Sequence, residues 1–384
     1  MRFKIFSFFL FSFFLLSLIW RWSFKSNEAT IIAKSVKESK PEFVYVDNTP
    51  LSKKIDSFFS KRNKRGLFNG TVLFSAHDTI VYENSFGFAN IKQKDSLNKS
   101  SSFQLASVTK TFTAYGIMLL KQKGKLSYSD SLRKFFPNFP YRNITVHQLL
   151  IHRSGLPNYM YFADRFWRDS RNLTIDNSDV IDLIVKNEPL PYYLPGRRYN
   201  YNNTNYALLA SIIEKVSNKS YSDFMDKDIF TPLNMNETYV YDKNIDPVNS
   251  SPVKGYVSRR RRAENTYLNG VVGDKGIYSS VGDMNKFSRA LYEGKLVKSD
   301  ELEKAYQLGH KELYDHDNYG YGWRVNMLPD SSKIVYHTGW WKGFRSYFIR
   351  SLSDEKTLIV LTNKSKYGVL RTKELMKLFD IKYE

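Results

Sequence analysis

Ser107 and Lys110 stand three residues apart in the run Phe103-Gln104-Leu105-Ala106-Ser107-Val108-Thr109-Lys110-Thr111-Phe112-Thr113-Ala114. On a helix this spacing puts a hydroxyl and an amine on one face, about one turn apart. An amine buried there loses solvation, and its pKa falls. The neutral lysine can then take the serine proton and leave an activated nucleophile, with no histidine needed. The chemistry would be acyl transfer. Spacing alone decides nothing, because Ser96 and Lys99, Ser131 and Lys134, Ser251 and Lys254, and Ser353 and Lys356 share it. Those pairs fall in polar or turn-like stretches. Ser107 is set among Leu105, Ala106, Val108, Phe112, Tyr115, Met118 and Leu119, apolar positions at roughly helical spacing. Its helix should therefore run into the core.

Two further groups supply what such a serine needs. The first is Tyr199-Asn200-Tyr201-Asn202-Asn203-Thr204-Asn205-Tyr206, which follows Leu194-Pro195-Gly196. A loop there can present Tyr201 to relay the serine proton, while Asn203 offers an amide to a substrate carbonyl. The plain alternative is a polar helix cap, for which asparagine is well suited. The second is His337-Thr338-Gly339-Trp340 at the end of an expected strand. Glycine lets a substrate approach closely, and strand-edge N–H groups can hold an oxyanion. The plain alternative is a strand entering a turn. The other histidines, His77, His147, His152, His310 and His316, form no metal-binding spacing. No metal or organic cofactor is expected.

The elements that must position these groups are legible in outline. Residues 51–62 carry an amphipathic helix pattern. Residues 70–76 and 79–85 are short β-rich runs joined by His77-Asp78 and predict a hairpin. The Ser107 helix follows, then loop and short helix over 121–140. Residues 144–152 predict a helix capped by Thr145 and stopped at Ser154-Gly155-Leu156-Pro157. Further helices are expected over 206–217, 283–291 and 369–379. Strands are expected at 333–337, 345–350 and 357–362, with turns at 339–343 and at Ser353-Asp354-Glu355. Strands at both ends and helices between them predict an α+β fold. Its antiparallel sheet would be assembled from both ends of the chain and flanked by terminal helices. A mainly helical lobe would cover about 121–270, with a site in the cleft between.

The chain has 384 residues, 42% hydrophobic and 16% aromatic, enough for a sizeable core. It has no cysteine, which excludes disulfides, a thiol nucleophile and cysteine-ligated metals. Met1-Arg2-Phe3-Lys4 followed by an apolar stretch over 5–20, closed by Arg21 and Lys25, has the layout of an export signal or short anchor. No small-residue cleavage site follows, so an uncleaved anchor is expected, with the body outside the cytoplasm. The organisation expected is a signal-anchor or signal peptide over 1–26, a linker over 27–50 and the folded domain over 51–384. Net charge is +20, spread along the chain apart from the arginine run at 259–262. No nucleic-acid motif accompanies it. With an export signal, cell-wall polymer or a lipid surface is the expected counterpart.

Taken in order, these motifs resemble the serine β-lactamase and penicillin-binding-protein superfamily, whose nucleophile motif is Ser-x-x-Lys. The nearest branch is the class C β-lactamase, D-alanyl-D-alanine carboxypeptidase and esterase group. The resemblance spans roughly 70–363 and includes residues 144–157, Pro195-Gly196 and residues 273–283. It implies Ser107 as nucleophile, Lys110 as its base partner and Tyr201 as the motif tyrosine. It implies Asn203, His337, Thr338 and Gly339 as substrate-binding residues. The backbone N–H groups of Ser107 and Trp340 would form the oxyanion hole. Two departures stand out. Histidine replaces the usual lysine of the third motif, so a partly charged His337 should hold a carboxylate less firmly and make the pH dependence steeper. The Trp340-Trp341 pair should narrow the cleft or stack on substrate. The expectation is an exported serine hydrolase acting through an acyl-enzyme on a D-Ala-type peptide, an ester or a β-lactam. Peptidoglycan is the partner this suggests. The rivals are a non-hydrolytic penicillin-binding receptor of the same fold and a basic envelope-binding scaffold.

Overall fold

A computed structural model describes residues 44–45, 48–167, 173–242, 252–258, 260–309, 318–366 and 370–382. The expected export segment and most of the linker lie outside the described residues, as do Ser251, Arg259, His310 and His316. Among the described residues no helix is long and apolar enough to cross a membrane. The chain divides into two compact units, Met1–Val44 and Tyr45–Glu384, and everything below concerns the second.

Helix α1, Pro50–Lys64, is started by Thr49, whose side chain accepts from the Ser52 N–H, with proline at the first helical position. Strands β1, Gly70–Ala76, and β2, Thr79–Phe86, form the expected hairpin. Helix α2, Thr109–Gln122, carries Lys110 and follows a 3-10 turn, Ala106–Val108, that carries Ser107. Helices α3, Val146–Leu150, α4, Tyr159–Phe166, and α5, Asn203–Ser217, come next. Helix α6, Val281–Glu293, precedes strands β3, Arg324–Met327, β4, Lys333–Trp341, β5, Phe344–Ser351, and β6, Lys356–Thr362. Helix α7, Thr372–Leu378, closes the chain.

In the main sheet these six strands run β2-β1-β6-β5-β4-β3, all antiparallel. The sheet is thus assembled from both ends of the chain, as the distribution of β-rich runs predicts. The join is β6 against β1, from Lys356 opposite Ala76 to Thr362 opposite Gly70. Terminal helices α1 and α7 cover one face. Ile55 and Phe59 meet Leu375, Met376 and Phe379 over Val72, Phe74, Leu358 and Val360, all buried. Burial of this apolar set is the main force holding the two chain ends together. A second, three-stranded sheet joins Phe103–Gln104, Ile277–Ser279 and Tyr239–Val240. It anchors the segment that leads into Ser107.

One expectation fails. Sequence punctuation suggests a turn from 339 to 343, but β4 continues through Trp341 and only Lys342 and Gly343 turn. Gly339 pairs with Ser346 within the strand, at a position where a side chain would not fit. A Cβ at this position would lie 2.2 Å from both Leu105 O and Ser346 Oγ.

Candidate active site

The approach to Ser107 is strained and closely packed. Ala106 adopts φ +50°, a left-handed conformation costly for a residue with a Cβ. The chain there leaves the strand Phe103–Gln104 and turns sharply into α2. From Ser101 to Leu120, Ser107 is the sole residue that is not buried. Its hydroxyl therefore sits at an opening in an otherwise sealed element. Lys110, one turn on, is 0% exposed.

The lysine amine touches three oxygens: Ser107 Oγ at 3.1 Å, Asn203 Oδ1 at 2.8 Å and the Asp274 carbonyl at 2.8 Å. Burial pushes its pKa down to about 7; the Asp274 carboxylate opposes this and the Arg324 charge assists it. The two oxygens of Asn203 and Asp274 can only accept. A neutral amine spends both N–H groups on them, and its lone pair is left for the serine hydroxyl. The hydrogen-bond inventory thus directs the lone pair of a neutral Lys110 at the Ser107 hydroxyl.

The Tyr201 hydroxyl faces Ser107, and its ring lies 4.9 Å from the lysine nitrogen. Burial raises its pKa above the ordinary 10, so the phenol keeps its proton at neutral pH. Asn203 opens α5. Its carbonyl holds Lys110, and its amide faces Met160 Sδ at 2.8 Å, a weak acceptor. The loop that carries both residues is clamped by the segment 152–159. His152 Nδ1 accepts from the Asn202 N–H at 3.1 Å, and Asn202 Nδ2 donates to the Leu156 carbonyl. Ser154 donates to Asn205 Oδ1 at 2.6 Å, and Thr204 donates to the Pro157 carbonyl at 2.8 Å. Asn202 is the helix cap, accepting from the Thr204 N–H. The cap alternative therefore holds for Asn202, and its neighbours Tyr201 and Asn203 are the ones that lie against Lys110.

Strand β4 brings the third motif alongside. Strand β3 pairs with it only from Lys333 to Tyr336, so among the described residues no partner strand covers His337 to Trp341 on that side. The Leu352 N–H donates to the Lys333 carbonyl at 3.0 Å. Antiparallel alternation from that bond turns the N–H of Trp340 away from β5 and into the uncovered edge. Trp340 is 63% exposed there, its ring under the Arg345 guanidinium at 5.6 Å. Trp341 turns inward and donates its indole N–H to Asn269 Oδ1 at 2.8 Å.

His337 is not the partly charged group that its sequence position suggests. It is 1% exposed. Its Nδ1 donates to the Thr338 carbonyl at 2.8 Å, and its Nε2 accepts from the Tyr319 hydroxyl at 3.0 Å. Burial, with the Lys110 and Arg324 charges nearby, drives its pKa well below the usual value. It is a neutral structural partner at physiological pH, and it adds no histidine ionisation to the pH response. Thr338 lies half-buried on the same edge.

Sequence reasoning missed Arg324, the first residue of β3. Its guanidinium is half-buried, 5.6 Å from the Tyr201 ring, and no carboxylate pairs with it among the described residues. Nothing in a lysine- and arginine-rich chain marks this arginine out; it is the sheet register, opposite Tyr336, that places it next to the open edge. Asp274 was also missed as a ligand of Lys110, although it lies in the 273–283 segment that carries part of the resemblance.

The chain is similar to known proteins over most of its length. The β-lactamase family model matches residues 55–381. Penicillin-binding protein 4* of Bacillus subtilis (strain 168) is 37% identical over 330 residues, covering 82% of this chain and 72% of that protein. The putative penicillin-binding protein PbpX of the same organism is 29% identical over 317 residues, covering 78% and 75%. The octameric penicillin-binding protein homologue from Pyrococcus abyssi superposes with a TM-score of 0.73 at 28% identity, covering 86% of this chain and 78% of that one. A D-amino acid amidase from Ochrobactrum anthropi SV3 shares the fold, with a TM-score of 0.70 at 23% identity, covering 87% and 97%. The match over residues 55–381 and the 37% identity over most of the chain place this α+β protein in the β-lactamase family, among the serine hydrolases of the β-lactamase and penicillin-binding-protein fold.

Proposed function

We propose that the protein is a serine carboxypeptidase-type hydrolase that cleaves a D-Ala-type peptide bearing a free carboxylate, at the cell envelope. The observation that carries the reading is the Lys110 amine, held by two oxygens that only accept and turned towards Ser107. Lys110 takes the Ser107 proton as Oγ forms a bond to the scissile carbonyl carbon. The negative charge that develops on the carbonyl oxygen is received by the N–H groups of Ser107 and Trp340. A donor of this kind lowers the barrier by about 3 kcal/mol. The carbon–nitrogen bond then breaks, and the departing amine takes the proton from Lys110 through the Tyr201 hydroxyl. Water, deprotonated by the same lysine, attacks the acyl-serine ester; the bond from the carbonyl carbon to Ser107 Oγ breaks, Lys110 returns the proton to Oγ, and the acid is freed.

Asn203 turns its amide from the Met160 sulfur to the acyl carbonyl. The substrate backbone lies along the uncovered edge at Thr338 and Gly339, and His337 fixes that edge from below. Arg324 receives the substrate carboxylate, since it is a cation beside Tyr201 with no carboxylate partner among the described residues. Envelope location follows the basic, apolar layout of the first 26 residues, and peptidoglycan stem peptide is the matching partner. The test compares a D-Ala-D-Ala peptide with an uncharged ester. Ser107→Ala should abolish acylation of both, followed by mass spectrometry. Arg324→Gln should raise KM for the peptide at least tenfold and leave the ester unchanged. Equal effects on both substrates would refute the carboxylate role.

A further inference from the structure

The loop after Val271 holds an aspartate and a lysine side by side in the interior: Asp274 and Lys275 are 2% and 3% exposed. Helix α2 grips this loop by consecutive carbonyls. Thr113 Oγ1 donates to the Gly273 carbonyl at 2.7 Å, and Lys110 donates to the Asp274 carbonyl at 2.8 Å. Gly273, at φ +95°, lets the loop press on α5; a Cβ there would lie 2.5 Å from the Tyr206 carbonyl and from Ala210 Cβ. The far side of the loop is tied by charge. The Tyr159 hydroxyl of α4 donates to Asp274 Oδ2 at 2.9 Å and accepts from Lys275 Nζ at 2.7 Å. Lys275 Nζ also donates to the Val271 carbonyl at 2.9 Å and reaches Asp274 Oδ1 at 3.4 Å. Its ammonium lies 5.1 Å from the Trp341 ring, on the inward side of the third motif.

We propose that Tyr159, Asp274 and Lys275 form a sealed, charge-balanced unit that positions Lys110 and holds it in its proton-accepting form. All three are positioning residues, acting on Ser107 only through Lys110. The inference rests on the reading of Lys110 as the base. A carboxylate this close to an ammonium stabilises the ammonium, and a second ammonium destabilises it. Asp274 thus opposes the effect of burial on Lys110, and the Lys275 ammonium, which repels that of Lys110, offsets part of this opposition. Of the other titratable groups that face Lys110, Arg324 alone among the described residues carries a charge. Tyr201 and Tyr206 are pushed above their ordinary pKa by burial, and His152 and His337 are held neutral well below theirs. Tyr159 keeps its proton for the same reason as the other phenols. Arg324 is cationic throughout and acts equally in every variant.

The experiment is the pH dependence of acylation by the full chain, with an uncharged chromogenic ester. Asp274→Asn should move the acid limb down by about one unit and Lys275→Met should move it up by about one unit. At pH 6 the first variant would be about fivefold faster than wild type and the second about tenfold slower. The double variant should return close to the wild-type limb. Limbs that stay in place, or move the same way, would overturn the proposal; a residue that only supports the fold does not give opposite shifts. Should either single variant fail to fold, NMR of the wild type with 13C at the lysine Cε carbons decides. Two lysines are then expected to titrate well below the rest, and a single such lysine would overturn the unit. Acylation that survives Ser107→Ala would instead defeat the underlying reading, so the two failures are told apart.

Discussion

The pH dependence of the wild-type enzyme gives the sharpest check on Lys110. An ordinary lysine titrates at 10.5, and burial brings this one to about 7. The difference is about 3.5 units, so at pH 7 about half of the amine is neutral, against about one part in 3,000 for a surface lysine. Burial therefore enlarges the population of competent base on the order of a thousandfold at neutral pH. The group is a base whose folded pKa is depressed, so the reactive form is present above about pH 7 and is lost as pH falls through it. Acylation measured by stopped flow should rise about tenfold per unit below pH 7 and level off above it. No second inflection should come from His337, which stays neutral across this range. Lys110→Arg, which keeps a cation but cannot release a proton, should lose about 10²–10⁴-fold in kcat/KM. A profile flat from pH 5 to 9, an inflection near 10, or an active arginine variant would refute the argument.

Other expectations concern packing and selectivity. Gly339→Ala should cost about 1–3 kcal/mol in urea denaturation, because its Cβ meets Leu105 O and Ser346 Oγ at 2.2 Å, and acylation should fall as the Ser107 turn is pushed away. Arg350 is fully buried with hydroxyl and carbonyl partners and lies 3.9 Å from the Tyr292 ring. Arg350→Lys should therefore destabilise the fold by about 2 kcal/mol by calorimetry, since an ammonium cannot span the same acceptors or stack. In a panel of D-Ala-D-Ala peptide, short-chain ester and chromogenic β-lactam, the peptide or the ester should be turned over faster than the lactam. The reverse ranking would count against a third motif that begins with a neutral histidine.

Much of this site was legible because its chemistry is local. Ser107 and Lys110 need only one helical turn to meet, and the apolar spacing around them predicts that the turn is buried. The hairpin, the Thr145 cap and the terminal helices likewise follow from period, cap and turn residues that act within a few positions. What the sequence leaves open depends on contacts between distant segments. Asn202, Asn203 and Asn205 are chemically alike, and only the clamp from residues 152–159 assigns one as cap and another as ligand of the amine. His337 looks like a titrating group until Tyr319 and the surrounding burial hold it neutral. Arg324 and Lys275 are two cations among 58 lysines and arginines. One meets an open strand edge through sheet register, and the other meets a buried carboxylate through a loop pressed against two helices. Local residue types thus determined which reaction the chain can perform. Which groups are charged while it does so was decided by the tertiary structure, because desolvation and distance between charges are properties of packing and not of residue order.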